Sequence, residues 1–224
     1  MKIDTSHEPQ LTFPDEELAF LKHHYGNARV ILEYGSGGST LYGARLPGRF
    51  IMSVESDEQW ALNLQRWLDA EDLQGQGVIH FCDIGPTGMW GRPEGVAHWR
   101  KFYRYPSDIW SKTYFRDPDL VLVDGRFRAA CFIATFLRIK KPTTVLFDDY
   151  VDRAAYHIVE KLARPAETRG RMALFRLEPG PRPMWVHDLF MEVLGDVALA
   201  NADNFQYPAH NMGVYPLLAD LKLS

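Results

Sequence analysis

Val30-Ile31-Leu32 runs directly into Glu33-Tyr34-Gly35-Ser36-Gly37-Gly38-Ser39-Thr40, and few folds accept that junction. A short continuous apolar run ending in glycines reads as a strand buried on both faces that turns at once into a helix. Only glycine permits both the dihedrals of such a turn and the close approach of its backbone to a ligand. Glu33 stands just before the first glycine. Glu55 lies 20 residues after Gly35 and closes the next apolar run, Phe50 to Glu55. A carboxylate at that spacing can accept both hydroxyls of an adenosine ribose, so the predicted ligand contains adenosine.

The rest of the chain repeats the strand-then-helix order. Pro14-Asp15-Glu16-Glu17 opens a helix ending near Gly26, and residues 57–69 carry Trp60, Leu64, Trp67 and Leu68 at helical spacing. Strands are predicted at Val78 to Cys82, Asp119 to Asp124, Thr143 to Asp148 and Arg171 to Leu177. Helices are predicted at Phe127 to Ile139 and near Ala154 to Leu162. Such alternation demands right-handed crossovers, hence an α/β fold: a doubly wound, mostly parallel, Rossmann-like sheet with helices on both faces. Residues 1–180 would form this domain, with an insert at 84–117. Residues 181–224, after Gly180-Pro181-Arg182-Pro183, read as a helix at 184–194 and a docking arm at 201–216.

Composition narrows the partners. With 25 Lys+Arg against 29 Asp+Glu the net charge is −4, which disfavours nucleic acid and membrane surfaces. The two cysteines, Cys82 and Cys131, sit in apolar stretches and read as inert core thiols of a cytoplasmic protein. No histidine pair has metal-ligand spacing, and His23-His24 reads as solvated or partner-facing. The insert departs from this balance: Arg92, Arg100, Lys101, Arg104, Lys112 and Arg116 stand against Glu94 and Asp108, among Trp90, Trp99, Phe102, Tyr103, Tyr105, Trp110, Tyr114 and Phe115. With Arg126 and Arg128, these cations suit a small acceptor with a flat or apolar body and an anionic group.

The glycine turn also discriminates among adenosine cofactors. A dinucleotide site brings a pyrophosphate to the helix N-terminus, where Glu33 would repel it. S-adenosylmethionine instead carries an ammonium and a sulfonium, and Asp83 could accept from an adenine amine. The acidic-x-Gly-x-Gly pattern with an acid closing the second strand resembles the class I S-adenosylmethionine-dependent methyltransferases over roughly residues 29–178. Leu122-Val123-Asp124-Gly125-Arg126-Phe127-Arg128 and Leu146-Phe147-Asp148-Asp149-Tyr150 resemble the corresponding motifs of a bacterial methyltransferase-like family. This resemblance implies S-adenosyl-L-methionine held by Glu33, Gly35, Ser36, Gly37 and Ser39, then Glu55, then Asp83 and Ile84.

Asp124, Asp148 and Asp149 fall at the carboxyl ends of strands four and five, where doubly wound sheets gather ligands. Catechol O-methyltransferase-like enzymes hold magnesium at similar positions. The favoured alternative is that Arg126 and Arg128 pair with these aspartates, making magnesium the weaker expectation. Asp124, Arg126 and Asp148 are the expected catalytic residues, with Asp124 as base or substrate orienter. The expected reaction is methyl transfer to an O or N atom of a small acceptor. Rival expectations are a non-catalytic S-adenosylmethionine-binding or interaction module and, behind it, an NAD-dependent oxidoreductase. The C-terminal arm leaves room for homo-oligomer contacts.

Overall fold

Pro14 precedes α1 (Asp15–Asn27), whose first turn carries Asp15, Glu16 and Glu17 at the positive end of the helix dipole. In the computed structural model, which describes residues 8–199, β1 (Val30–Tyr34) leads through the glycine turn into α2 (Gly38–Arg45). β2 (Phe50–Glu55) is buried along its whole length. Asp57 caps α3 (Glu58–Ala70) by accepting from the Trp60 amide at 2.8 Å.

After β3 (Gln76–Phe81) the insert winds through short 3-10 turns and one α-helical turn, α4 (Arg104–Ser107). Alternation resumes with β4 (Leu120–Val123), α5 (Arg128–Arg138) and β5 (Thr143–Phe147). Ala154–Lys161 is 3-10 rather than α-helical, and Val159 is its one buried residue. That is too little apolar surface to hold a longer α-helix by packing. A hairpin of β6 (Glu167–Arg169) and β7 (Met172–Leu177) follows, then α6 (Trp185–Leu199).

The seven strands form one sheet in the order β3-β2-β1-β4-β5-β7-β6. The first five are parallel, and β7 runs antiparallel between β5 and β6. Side chains alternate across the sheet, and each set has its own core. Ile31, Ile51, Leu120, Leu122, Leu146 and Leu174 pack with Phe20, Leu21 and Tyr25 of α1, Leu41 of α2 and Leu64 of α3. Leu32, Tyr34, Met52, Val121, Val123, Val145 and Phe175 pack on the opposite face with Cys131 and Phe132 of α5. Phe102, Tyr105 and Ile109 belong to this second core, so the insert is anchored to the body. So are Val186 and Leu189, which seat α6 there. The arm expected at 201–216 lies outside the described residues. Among those residues no helix is long and apolar enough to cross a membrane.

Candidate active site

The loops after β1, β2 and β4 meet at the carboxyl edge of the sheet. Gly35 has φ +101°, and a Cβ there would lie 2.7 Å from the Gly125 backbone. The two loops therefore touch main chain to main chain, which only glycine allows. Ser36 is fixed from both sides: its carbonyl accepts from the Trp60 indole at 2.9 Å and its hydroxyl donates to Glu55 at 2.8 Å. Over this floor passes the segment Pro9 to Phe13. A Cβ on Gly38 would sit 2.4 Å from the Gln10 carbonyl carbon, so the N-terminal segment rests on the first turn of α2.

These elements line a cavity of about 270 Å³, just below the usual range for small-molecule sites. Of the residues singled out in the sequence, Gly35, Ser36, Gly37, Ser39, Glu55, Asp124 and Arg126 line it. Glu55 forms one end. Its Oε1 accepts from the amides of Ser56 at 2.6 Å and Asp57 at 2.9 Å, while Oε2 takes the Ser36 hydroxyl. Burial pushes this carboxyl upward in pKa, and those hydrogen bonds pull it back. Asp124, Gly125 and Arg126 form the opposite end, after β4.

Four expected site residues lie elsewhere. Alternation along β1 puts Glu33 on the face of Ile31, beneath α1 and α2, where it is fully buried. Tyr25 Oη and Thr40 Oγ1 each donate to its carboxylate at 2.5 Å. Thr40 Oγ1 in turn accepts from the Gly37 amide at 3.0 Å, so Glu33 braces the glycine turn from below instead of facing the crevice. Asp83 accepts from the Gly85 amide at 2.9 Å and from Lys101 at 2.6 Å. Neither it nor the buried Ile84 is on the cavity, because the insert folds back and places Gly91 against Glu55 and Ser56. Asp148 is 1% exposed and gripped by Arg171 through two bonds, 3.1 and 2.9 Å.

The ion pairs beside the cavity divide the arginines. Arg128 bridges Asp124 at 3.0 Å, Asp149 at 3.1 Å and the Asp148 carbonyl at 2.7 Å. Arg153 and Arg171 also hold Asp149. A magnesium ion shared by these aspartates would have to displace the Arg128 guanidinium, so the donor set does not fit one. Contrary to the expected pairing, Arg126 joins none of these contacts: its Nε is buried with no hydrogen-bond partner. Burial, then Asp148, drive Asp124 up to about 7 against the pull of Arg128.

The insert's cations also differ from expectation. Lys101 pairs with Asp83, Lys112 with Asp108, and Arg116 lies over the Phe50 ring; none of the three lines the cavity. Among the described residues one further group, His80, Cys82 and Asp108, has donor atoms within 4.8 Å of one another. Lys112 and Arg104 crowd the Asp108 oxygen that faces His80, and burial pushes Cys82 up to about 12, which opposes a cation there. The sequence reading missed Trp60, Trp90, Tyr105 and the Pro9 to Phe13 segment as cavity walls. A tryptophan beside the second-strand acid was the available signal.

No family model matches the chain, and no curated protein matches it either. Among solved structures it is similar to a methyltransferase-like protein from Silicibacter pomeroyi, with 45% identity, a TM-score of 0.79, and coverage of 84% of this chain and 97% of that one. An O-methyltransferase from Bacillus cereus, solved with S-adenosylhomocysteine, aligns at 14% identity over 75% of this chain and 82% of that one, TM-score 0.49. A Geobacter sulfurreducens methyltransferase aligns at 12% over 76% and 82%, also at 0.49.

Proposed function

The chain belongs to the family of the Silicibacter methyltransferase-like protein, and from that premise we propose that it is a class I enzyme that carries a methyl group from S-adenosylmethionine to an oxygen or nitrogen of a small acceptor. The observation that carries this reading is the cavity itself, with the buried acid Glu55 at one end and, at the other, Asp124 held by Arg128 with its pKa pushed up by burial.

The residues fit the cofactor. Glu55 on β2 suits the ribose diol, which would displace the Ser36 hydroxyl from Oε2, since the amides of Ser56 and Asp57 fill Oε1 and the amide and hydroxyl of Ser36 share Oε2, using up the carboxylate's roughly four acceptor positions. The Gly35–Gly37 backbone leaves room beside it, and Trp60, Trp90 and Phe13 offer apolar walls. When bound, the cofactor supplies an electrophilic methyl on its sulfonium. The chain supplies position and proton transfer: Asp124 takes the acceptor's proton, and Arg128 fixes that carboxylate in place. Asp148 and Arg171 act behind them as positioning residues.

Calorimetric titration with S-adenosylhomocysteine and, separately, NAD tests the cofactor. Binding of the former alone is expected; preference for NAD would overturn the reading. Binding without turnover on any hydroxy or amino acceptor would favour the non-catalytic module.

A further inference from the structure

Arg126 is the exception in a set of arginines that are otherwise well matched. Arg128, Arg153 and Arg171 share Asp124, Asp148 and Asp149 among them at 2.8–3.1 Å. Arg126 lines the cavity, forms no ion pair among the described residues, and keeps Nε buried without a partner. A guanidinium does not shed its proton, so leaving it half-sequestered and uncompensated is costly. Asp124, two residues away, is already taken by Arg128. A satisfied core would have paired Arg126, whereas a binding site leaves the charge for its ligand.

We infer that Arg126 anchors a carboxylate or phosphate on the methyl acceptor, making this a methyltransferase for small anionic, flat-bodied acceptors. This rests on the cofactor reading above. In the sheet β1 separates β2 from β4, and two strand spacings are about 10 Å. A nucleoside held at Glu55 on β2 therefore leaves the loop after β4 for the acceptor. There Asp124 and Arg126 stand on one loop, base beside anchor. An acceptor whose anion meets Arg126 presents its hydroxyl or amine to Asp124. Tyr105, whose hydroxyl accepts from the Arg126 amide at 3.4 Å, lines the cavity beside this loop and suits an aromatic body. The same chemistry could come from the methionine carboxylate of the cofactor, and the test separates the two sources. Burial and the like charge of Arg128 also depress the Arg126 pKa, a penalty that a bound anion relieves.

The test uses benzoate and its neutral isostere benzamide, titrated by calorimetry into the protein with and without saturating S-adenosylhomocysteine. The wild type is expected to bind benzoate at least tenfold more tightly than benzamide. Arg126→Gln should abolish that preference with a melting temperature no lower than that of the wild type, and Arg126→Lys should recover part of it. Equal binding of the two probes to wild type, or a preference that survives in Arg126→Gln, overturns the proposal. So does an Arg126→Gln protein that loses S-adenosylhomocysteine but keeps 5′-methylthioadenosine, because the anion is then the cofactor's own carboxylate. If wild type fails to bind S-adenosylhomocysteine at all, the cofactor reading fails separately, while the benzoate preference of the protein alone still reports on Arg126.

Discussion

Glu33 and Thr40 are joined by a 2.5 Å hydrogen bond beneath the glycine turn, and the same threonine oxygen receives the Gly37 amide. The acid in the first motif thus acts on the ligand floor from inside the core. Glu33→Ala would strand the Tyr25 and Thr40 hydroxyls, at about 1–3 kcal/mol for each buried group left unpaired. Glu33→Gln keeps an acceptor for one of them and should recover most of the stability and most of the S-adenosylhomocysteine affinity. Denaturant unfolding and calorimetry on both variants check this. A Gln variant that folds normally but binds tenfold more weakly would mean that the charge itself reaches the ligand.

Glu55 is the reverse case, an acid whose carboxylate does line the cavity. Glu55→Gln retains the volume and one acceptor, yet cannot accept on both oxygens. A loss of S-adenosylhomocysteine affinity of tenfold or more is expected, equivalent to about 1.4 kcal/mol, with a smaller change in melting temperature. Affinity within twofold of wild type would remove the ribose assignment.

The contrast between these two acids explains what the sequence could reveal. The alternation of strands with helices and the mostly parallel sheet followed from apolar runs and glycines, because both faces of β1, β2 and β4 are covered and the pattern is strong. The side on which Glu33 emerges depends on the strand's twofold alternation relative to helices not yet packed, and the motif alone left it open. Asp83 lost its expected place because the insert returns over Glu55, a long-range contact with no local signature. The aspartate–arginine pairing was legible for Arg128, which opens α5 four residues after Asp124 in the same loop. It failed for Arg126, whose neighbours were already engaged. Pro9 to Phe13 carried no motif; their role arises from the missing side chain at Gly38.

Gly38→Ala tests that contact. A methyl group 2.4 Å from the Gln10 carbonyl carbon must lift the Pro9–Phe13 segment from α2, since backbone cannot yield as a flexible side chain does. Limited proteolysis is expected to cleave at Leu11 or Phe13 faster than in wild type, with weaker S-adenosylhomocysteine binding because one wall of the cavity is lost. Unchanged cleavage and binding would show that the segment is not part of the closed site.

Metal dependence is decided by Arg128. Its bonds to Asp124, Asp149 and the Asp148 carbonyl occupy the space between the carboxylates. Protein treated with a chelator should bind S-adenosylhomocysteine with unchanged affinity, and titrated magnesium should give no binding heat. A tenfold loss on chelation, restored by magnesium, would mean that the arginine swings away when the ion enters.

The last prediction concerns pH, where rate and stability run in opposite directions. Asp124 is held near 7, chiefly by burial and then by Asp148, well above the usual value of about 3.9 for an unfolded chain. A raised carboxyl pKa means that the folded state binds more protons than the unfolded state between those two values. Its contribution to stability is therefore complete below about 3.9 and is lost as pH rises through about 7. Catalysis needs the opposite form, because only the carboxylate can accept the acceptor's proton. With any acceptor that turns over, kcat/KM should climb with pH and level off above about 7, while the melting temperature declines over the same window. Asp124→Asn should lower the rate by a factor of about 10² to 10⁴, the usual share of a general base, and flatten both profiles. A variant that loses activity but keeps the wild-type pH dependence would assign the titration to another group and the base role with it.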